Sequence, residues 1–149
     1  MKIPDYGRRY GLPVALIITL VAMIGLIYAF RTEVEIGPDG TRFLQHYRWG
    51  TLAILEIDVE GDGGIDAKYL PSSDPIAIHP RFAAGWESSR CDRVLDIYWQ
   101  HNKSGRLTVK YDSDRDGNYE LRFEGEEATS FLKTLERPEN CSILLPLAW

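Results

Sequence analysis

Thr51–Leu70, TLAILEIDVEGDGGIDAKYL, sets two apolar, partly β-branched runs on either side of a glycine- and acid-rich break. Thr51–Ile57 and Ile65–Leu70 read as strands, and Asp58–Gly64 as the loop between them. Upstream, Thr32–Ile36 and Thr41–Tyr47 flank Gly37-Pro38-Asp39-Gly40, a turn-rich tetrad, and read as a hairpin. Downstream, Arg93–Gln100, Arg106–Tyr111 and Tyr119–Glu124 read as a meander with turns at 102–105 and 112–118. Between the two strand groups lies Pro71–Arg90, with Pro71, Pro75 and Pro80 and no clear period. A stretch of that length is either a packed functional loop or a missed element.

One amphipathic helix closes the domain. In Glu126–Glu136, Ala128, Phe131, Leu132 and Leu135 follow an i, i+3, i+4, i+7 stripe that predicts packing on the sheet. Glu126 and Glu127 suit its N-terminal dipole end, Lys133 and Arg137 its C-terminal end, and Pro138 stops it. The chain then ends in Ile143-Leu144-Leu145-Pro146-Leu147-Ala148-Trp149. An apolar terminus needs a place to bury itself. It is read as a last strand or core plug of its own domain, or else as docking on a partner or a membrane interface.

At the other end, Leu12–Phe30 holds nineteen residues without a charge. At a rise of about 1.5 Å per residue it comes close to the ~30 Å of a bilayer's hydrocarbon, which predicts a transmembrane helix. Lys2, Arg8 and Arg9 against Asp5 leave the tail 1–11 at +2, while Arg31–Trp149 stands at −7. Basic residues beside a span stay in the cytoplasm, so the expected order is cytoplasmic tail 1–11, membrane helix 12–30 and extracytoplasmic (periplasmic) domain 31–149. A cleaved signal peptide fits less well, because the run is long and Tyr28-Ala29-Phe30-Arg31 is a poor cleavage site. Ala15, Thr19, Ala22, Gly25 and Ala29 fall within one arc of about 120° at 100° per residue, a small-residue face suited to another helix. The fold expected is thus one membrane helix plus a mostly-β, antiparallel, meander- or sandwich-like domain with one packed helix.

An acidic domain repels phosphate backbones, which argues against nucleic-acid binding. Cys91 and Cys141 belong to no CxxC, haem or zinc pattern. They read as a structural disulfide, which would stabilise by about 4 kcal/mol for a loop of that length, or as two buried thiols.

The one arrangement with chemistry in it occurs twice. Asp58-x-Glu60-x-Asp62-Gly63-x-x-Asp66 and Asp112-x-Asp114-x-Asp116-Gly117-x-x-Glu120 match position for position, 54 residues apart. Carboxylates at positions 1, 3, 5 and 9 around a glycine at 6 are what a hard cation needs, with a backbone carbonyl at 7. A helical EF-hand is disfavoured, since Tyr69 and Phe123 stand where its bidentate Glu belongs. The pattern resembles the DxDxDGxxD calcium loops of integrin FG-GAP repeats and of thrombospondin type 3 repeats. That resemblance covers nine residues at each place. It implies Ca²⁺ held by Asp112, Asp114, Asp116 and Glu120, with the Asn118 carbonyl, and by Asp58, Glu60, Asp62 and Asp66 in the first loop. Glu120 and Glu60 depart from the pattern's usual residues. The plain alternative is an acidic hairpin turn, for which Asp-Gly is favoured.

His46, His79 and His101 are isolated, and GxSxG, P-loop, GxGxxG and HExxH motifs are absent from the sequence. The function expected first is a non-catalytic accessory or assembly subunit of a larger membrane complex, touching other integral membrane subunits through the small-residue helix face and through its outer domain. The second is a calcium-binding β-domain acting as a sensor or Ca-stabilised binding module. An anchored hydrolase comes last.

Overall fold

In a computed structural model the chain is described over residues 6–72, 82–102 and 104–139, with side chains from residue 13 onward. Eight strands follow one another in a single antiparallel sheet whose spatial order is the chain order. They are β1 (Thr32–Ile36), β2 (Arg42–Arg48), β3 (Thr51–Asp58), β4 (Ala67–Pro71), β5 (Phe82–Glu87), β6 (Ile97–His101), β7 (Leu107–Tyr111) and β8 (Leu121–Glu124). Helix α1 (Tyr6–Ala29) precedes the sheet, and α2 (Glu126–Thr134) follows it.

The expected membrane span is corrected. Tyr6–Ala29 is helical, but among the described residues no helix is long and apolar enough to cross a membrane. The single-pass, inner-membrane location and the periplasmic placement of the domain fall with the span. The strands also form one sheet, not a sandwich of two.

Two strand assignments change. Phe82–Glu87 is a central strand inside the stretch that showed no period. Ala83, Ala84 and Gly85 dilute its alternation. β6 begins at Ile97 rather than Arg93, because 88–96 is a loop.

Register puts one residue set on the covered face. Phe43 faces Ile57, Ile57 faces Ala67, Leu55 faces Tyr69, Tyr69 faces Gly85, and Gly85 faces Trp99. Trp99 in turn faces Val109, and Val109 faces Phe123. Burying these alternate side chains is what the period-2 pattern is for. Helix α2 covers the β7–β8 end: Phe131 stacks on Phe123 at 4.3 Å and lies 5.3 Å from Tyr111, while Ala128 is fully buried.

Gly85 sits between two rings. A Cβ there would stand 2.7 Å from Trp99 and 2.8 Å from Tyr69, so these aromatics fill the space a side chain would take. Gly85→Ala is expected to cost about 2 kcal/mol by overpacking, lowering the urea midpoint without changing the slope. A midpoint equal to wild type would show that the rings give way freely.

Candidate metal centre

In a meander every second connection falls at the same end of the sheet, so the β3–β4, β5–β6 and β7–β8 loops are neighbours. They share one design. In the first, the Asp58 carboxylate accepts the N–H groups of Asp62 (3.2 Å) and Gly63 (2.8 Å). In the third, Asp112 accepts those of Arg115 (2.6 Å), Asp116 (3.2 Å) and Gly117 (2.8 Å). In the middle loop Ser88 takes that place, its Oγ accepting the N–H groups of Arg90 (3.3 Å) and Asp92 (3.2 Å).

The ninth position of each loop accepts the N–H of the second. Asp66 receives Val59 (2.9 Å), Asp96 receives Ser89 (2.7 Å) and Glu120 receives Ser113 (3.0 Å). Backbone conformation repeats as well. The fourth and sixth positions are left-handed in all three: Gly61 and Gly63 (φ 71° and 91°), Cys91 and Arg93 (52° and 72°), Arg115 and Gly117 (65° and 95°). The loop Ser88–Asp96 is therefore a third copy that sequence reasoning missed. Its signal was the i, i+4, i+8 spacing of Ser88, Asp92 and Asp96, shared with Asp58, Asp62, Asp66 and with Asp112, Asp116, Glu120.

What differs is the source of positive charge. In the first loop the Arg93 guanidinium, from the middle loop, pairs with Asp62 and lies over Gly64. The Arg93 N–H also donates to Asp66 (3.2 Å), and Arg42 stands 4.0 Å from the buried Asp58. Asp62 is held below the usual carboxylate range by the Gly64 N–H and by Arg93. In the middle loop both terminal nitrogens of Arg115, from the third loop, bond Asp92, and its Nε lies 3.4 Å from the fully buried Asp96. That contact is an ion pair without hydrogen-bond geometry. Arg115 accordingly holds Asp92 well below its ordinary value.

Each of the first two loops thus receives an arginine from the loop after it. The third loop has no such successor, because β8 leads into α2. Among the described residues no lysine or arginine side chain pairs with Asp112, Asp114, Asp116 or Glu120. Those four carboxylates can each offer an oxygen, and the oxygens all lie within 4.8 Å of one another. The cluster has the geometry to hold a metal ion. Hard cations of the Ca²⁺ kind take such all-oxygen sets. The Asp116 N–H pulls Asp114 down, yet desolvation and the charges of Asp116 and Glu120 together push it above its usual value. This is like-charge crowding of the sort that a cation relieves.

Asn118 does not stand apart from the set: its backbone and side-chain N–H groups bond Asp116 at 2.8 and 3.0 Å. Asp58, Asp62 and Asp66 are committed to backbone and arginine partners, Glu60 is exposed, and they form no comparable group among the described residues. Cys91, in the middle loop, is buried and disulfide-bonded. Cys141, His79 and the segment 143–149 lie outside the described residues.

Of the remaining histidines, His46 stands between Thr32 (3.1 Å) and Glu56 (3.0 Å) on the opposite sheet face, and Lys68 closes on Glu56 at 3.2 Å. This line crosses the β1–β2–β3–β4 ladder, whose β2–β3 register shifts between His46 and Tyr47. His101 bonds the Gly105 carbonyl through Nδ1.

Compared with known protein families, curated proteins and solved structures, the chain has no match. Nothing in those comparisons identifies integrin FG-GAP or thrombospondin type 3 repeats.

Proposed function

We propose that the protein is a non-catalytic β-sheet binding module whose loop end is held together by one calcium ion at Asp112, Asp114, Asp116 and Glu120. The observation that supports this most is the contrast among the three loops. Two have an arginine among their carboxylates, and the third gathers four carboxylates without one. Calcium at this edge does for the last loop what Arg93 and Arg115 do for the first two. Its role is structural, stapling β7 to β8 and so holding the surface from which α2 departs.

Weak sites of this kind have Kd values of about 10⁻⁴–10⁻³ M. At 5 mM Ca²⁺ and a Kd of ~0.5 mM the gain is about 1.4 kcal/mol, or ~5–10 °C in Tm. Thermal melts with CaCl₂ and with EGTA should differ by that amount at pH 7, and Asp116→Ala should abolish the difference. Because Asp114 is raised, its crowding destabilises above its folded pKa and is relieved as pH falls through it. The calcium effect should therefore shrink from pH 7 to pH 4. Indifference to calcium at pH 7 would end this reading.

A second reading, an accessory subunit of a larger assembly, is favoured by α1. Its apolar side chains from Val14 to Ile27 are 46–65% exposed, and Ala15, Thr19, Ala22 and Gly25 are exposed with them. Such a surface needs a cover. Changing those four small residues to leucine should abolish co-purification of a helix-docking partner, and unchanged co-purification would exclude the small-residue face as its site.

A further inference from the structure

The face of the sheet away from α2 carries one continuous row in register. Lys68 stands opposite Trp86, Trp86 opposite Tyr98, Tyr98 opposite Lys110, and Lys110 opposite Arg122. The Trp86 and Tyr98 rings lie 5.0 Å apart, and Tyr119, from the third loop, extends them at 6.4 Å from Tyr98. We propose that this row is the ligand-binding surface of the module and that its ligand is an acidic glycan, a chain of pyranose rings with carboxylates at intervals. This rests on the binding-module reading above, but not on the calcium ion.

The rings are not part of the core. Trp86 and Tyr98 are half-buried, and Tyr119 is exposed. An indole and two phenols side by side on an open sheet face offer π-surface to C–H groups and polar tips to hydroxyls. A sugar ring presents both, an apolar C–H face and a rim of hydroxyls. Gln100, exposed beside the row, accepts the Tyr98 hydroxyl at 2.6 Å through Oε1, which leaves its amide N–H groups as donors.

Charge decides the kind of sugar. Arg31–Trp149 stands at −7, yet both ends of the row are basic. Lys110 lies 5.7 Å from the Tyr98 ring centroid and has no carboxylate partner among the described residues. Arg122 beside it is 62% exposed in its side chain, although it pairs with Glu124 at 2.6 Å. Lys68, at the other end, shares Glu56 with His46. Lys68 and Lys110 are three strands apart, ~14 Å at ~4.8 Å per strand, with both rings between them. Spaced carboxylates with sugar faces between them fit that order of cation, ring, ring, cation. Single-stranded nucleic acid has a phosphate on every unit, and its excess charge would meet the exposed Asp62, Asp92 and Asp114 at the adjoining loop end.

The test is calorimetric titration of the full-length protein with hexasaccharides of hyaluronan and of unsulfated chondroitin, each in CaCl₂ and in EGTA. Binding of at least one is expected, with chitohexaose, which has the rings without the carboxylates, roughly tenfold weaker or worse. Trp86→Ala should weaken binding roughly tenfold and Lys110→Ala roughly threefold, the latter also flattening the dependence on salt. Lys110→Ala removes a surface cation, so it decides the matter should Trp86→Ala fail to fold. No binding of either acidic glycan, equal affinity for chitohexaose, wild-type affinity in Lys110→Ala, or tighter binding of hexathymidylate overturns the proposal. Glycan binding that persists in EGTA, with melts indifferent to calcium, would support this surface and end the calcium reading alone. Calcium stabilisation without glycan binding would end this proposal alone.

Discussion

Arg115→Ala is expected to lower stability at pH 7 by about 3 kcal/mol, seen as a fall in Tm of ~10–15 °C. Arg115 is the only arginine that the middle loop receives from its neighbour among the described residues, and it faces Asp92 and Asp96 at once. Asp96 is fully buried and is otherwise bonded by the Ser89 N–H at 2.7 Å and the Ser89 hydroxyl at 2.5 Å. Without the guanidinium those bonds remain, but the buried charge has lost its cation, and that dominates the cost. Asp92 is more exposed and adds less, since solvent screens it.

The backbone supplies a control. Arg115 is left-handed at φ 65°, so alanine retains that strain, whereas Arg115→Gly removes it and should recover about 1 kcal/mol. Arg115→Lys keeps the charge but not the two-pronged contact with Asp92, and should fall between wild type and alanine. The pH dependence has a definite sign. Asp92 is depressed in the folded state, so its pairing contributes fully above the unfolded carboxylate value and is lost as pH falls toward the folded one. The gap between wild type and Arg115→Ala should therefore narrow from pH 7 to pH 3. Equal melting temperatures at pH 7 would refute the bridging role.

These arginines also mark where the sequence stops being readable. The β-rich character was legible because TLAILEI and its neighbours alternate, and α2 was legible because its stripe has one period. Phe82–Glu87 was hidden because a strand that must leave room for Tyr69 and Trp99 carries Gly85 where a large residue would have signalled it. The apolar stretch 12–30 gave a helix, but charge-free length alone did not decide what the helix does. At the loops, local spacing showed carboxylates and a glycine, which is the part of the site set by nearby chain. It did not show which carboxylates already have a cation, because Arg93 and Arg115 cross from one loop to the next. Arg115 stands between the carboxylates of its own loop in sequence, while its guanidinium serves another loop. The middle loop was hidden because Ser88 and Arg90 replace carboxylates there, leaving the i, i+4, i+8 spacing as its mark in sequence, while hydrogen bonds and left-handed backbone positions show that the turn is the same.

The second large effect lies across the covered face, at Glu87. This carboxylate is 2% exposed and sits among apolar neighbours. Its Oε1 accepts the Tyr69 hydroxyl at 3.1 Å and the Trp99 indole N–H at 2.8 Å, and Oε2 accepts Arg137 at 2.7 Å. Arg137→Ala removes the cation and leaves the buried charge, an expected loss of about 3 kcal/mol. Glu87→Gln keeps an acceptor for the two rings and gives up the charge, so about 1–2 kcal/mol is expected. Arg137 is 19% exposed in its side chain, so the guanidinium freed by that change is resolvated more readily than the carboxylate freed by the other. The asymmetry between the two single variants is therefore itself a prediction. In the double variant the buried charge is gone along with its partner, and the losses should fall short of their sum by about 1.5 kcal/mol or more. Urea titrations of the four proteins measure this coupling. A value near zero would mean that Arg137 does not hold the chain beyond α2 against the sheet. The return of that chain across the core face would then need another cause, for which the disulfide at Cys91 is the next to remove.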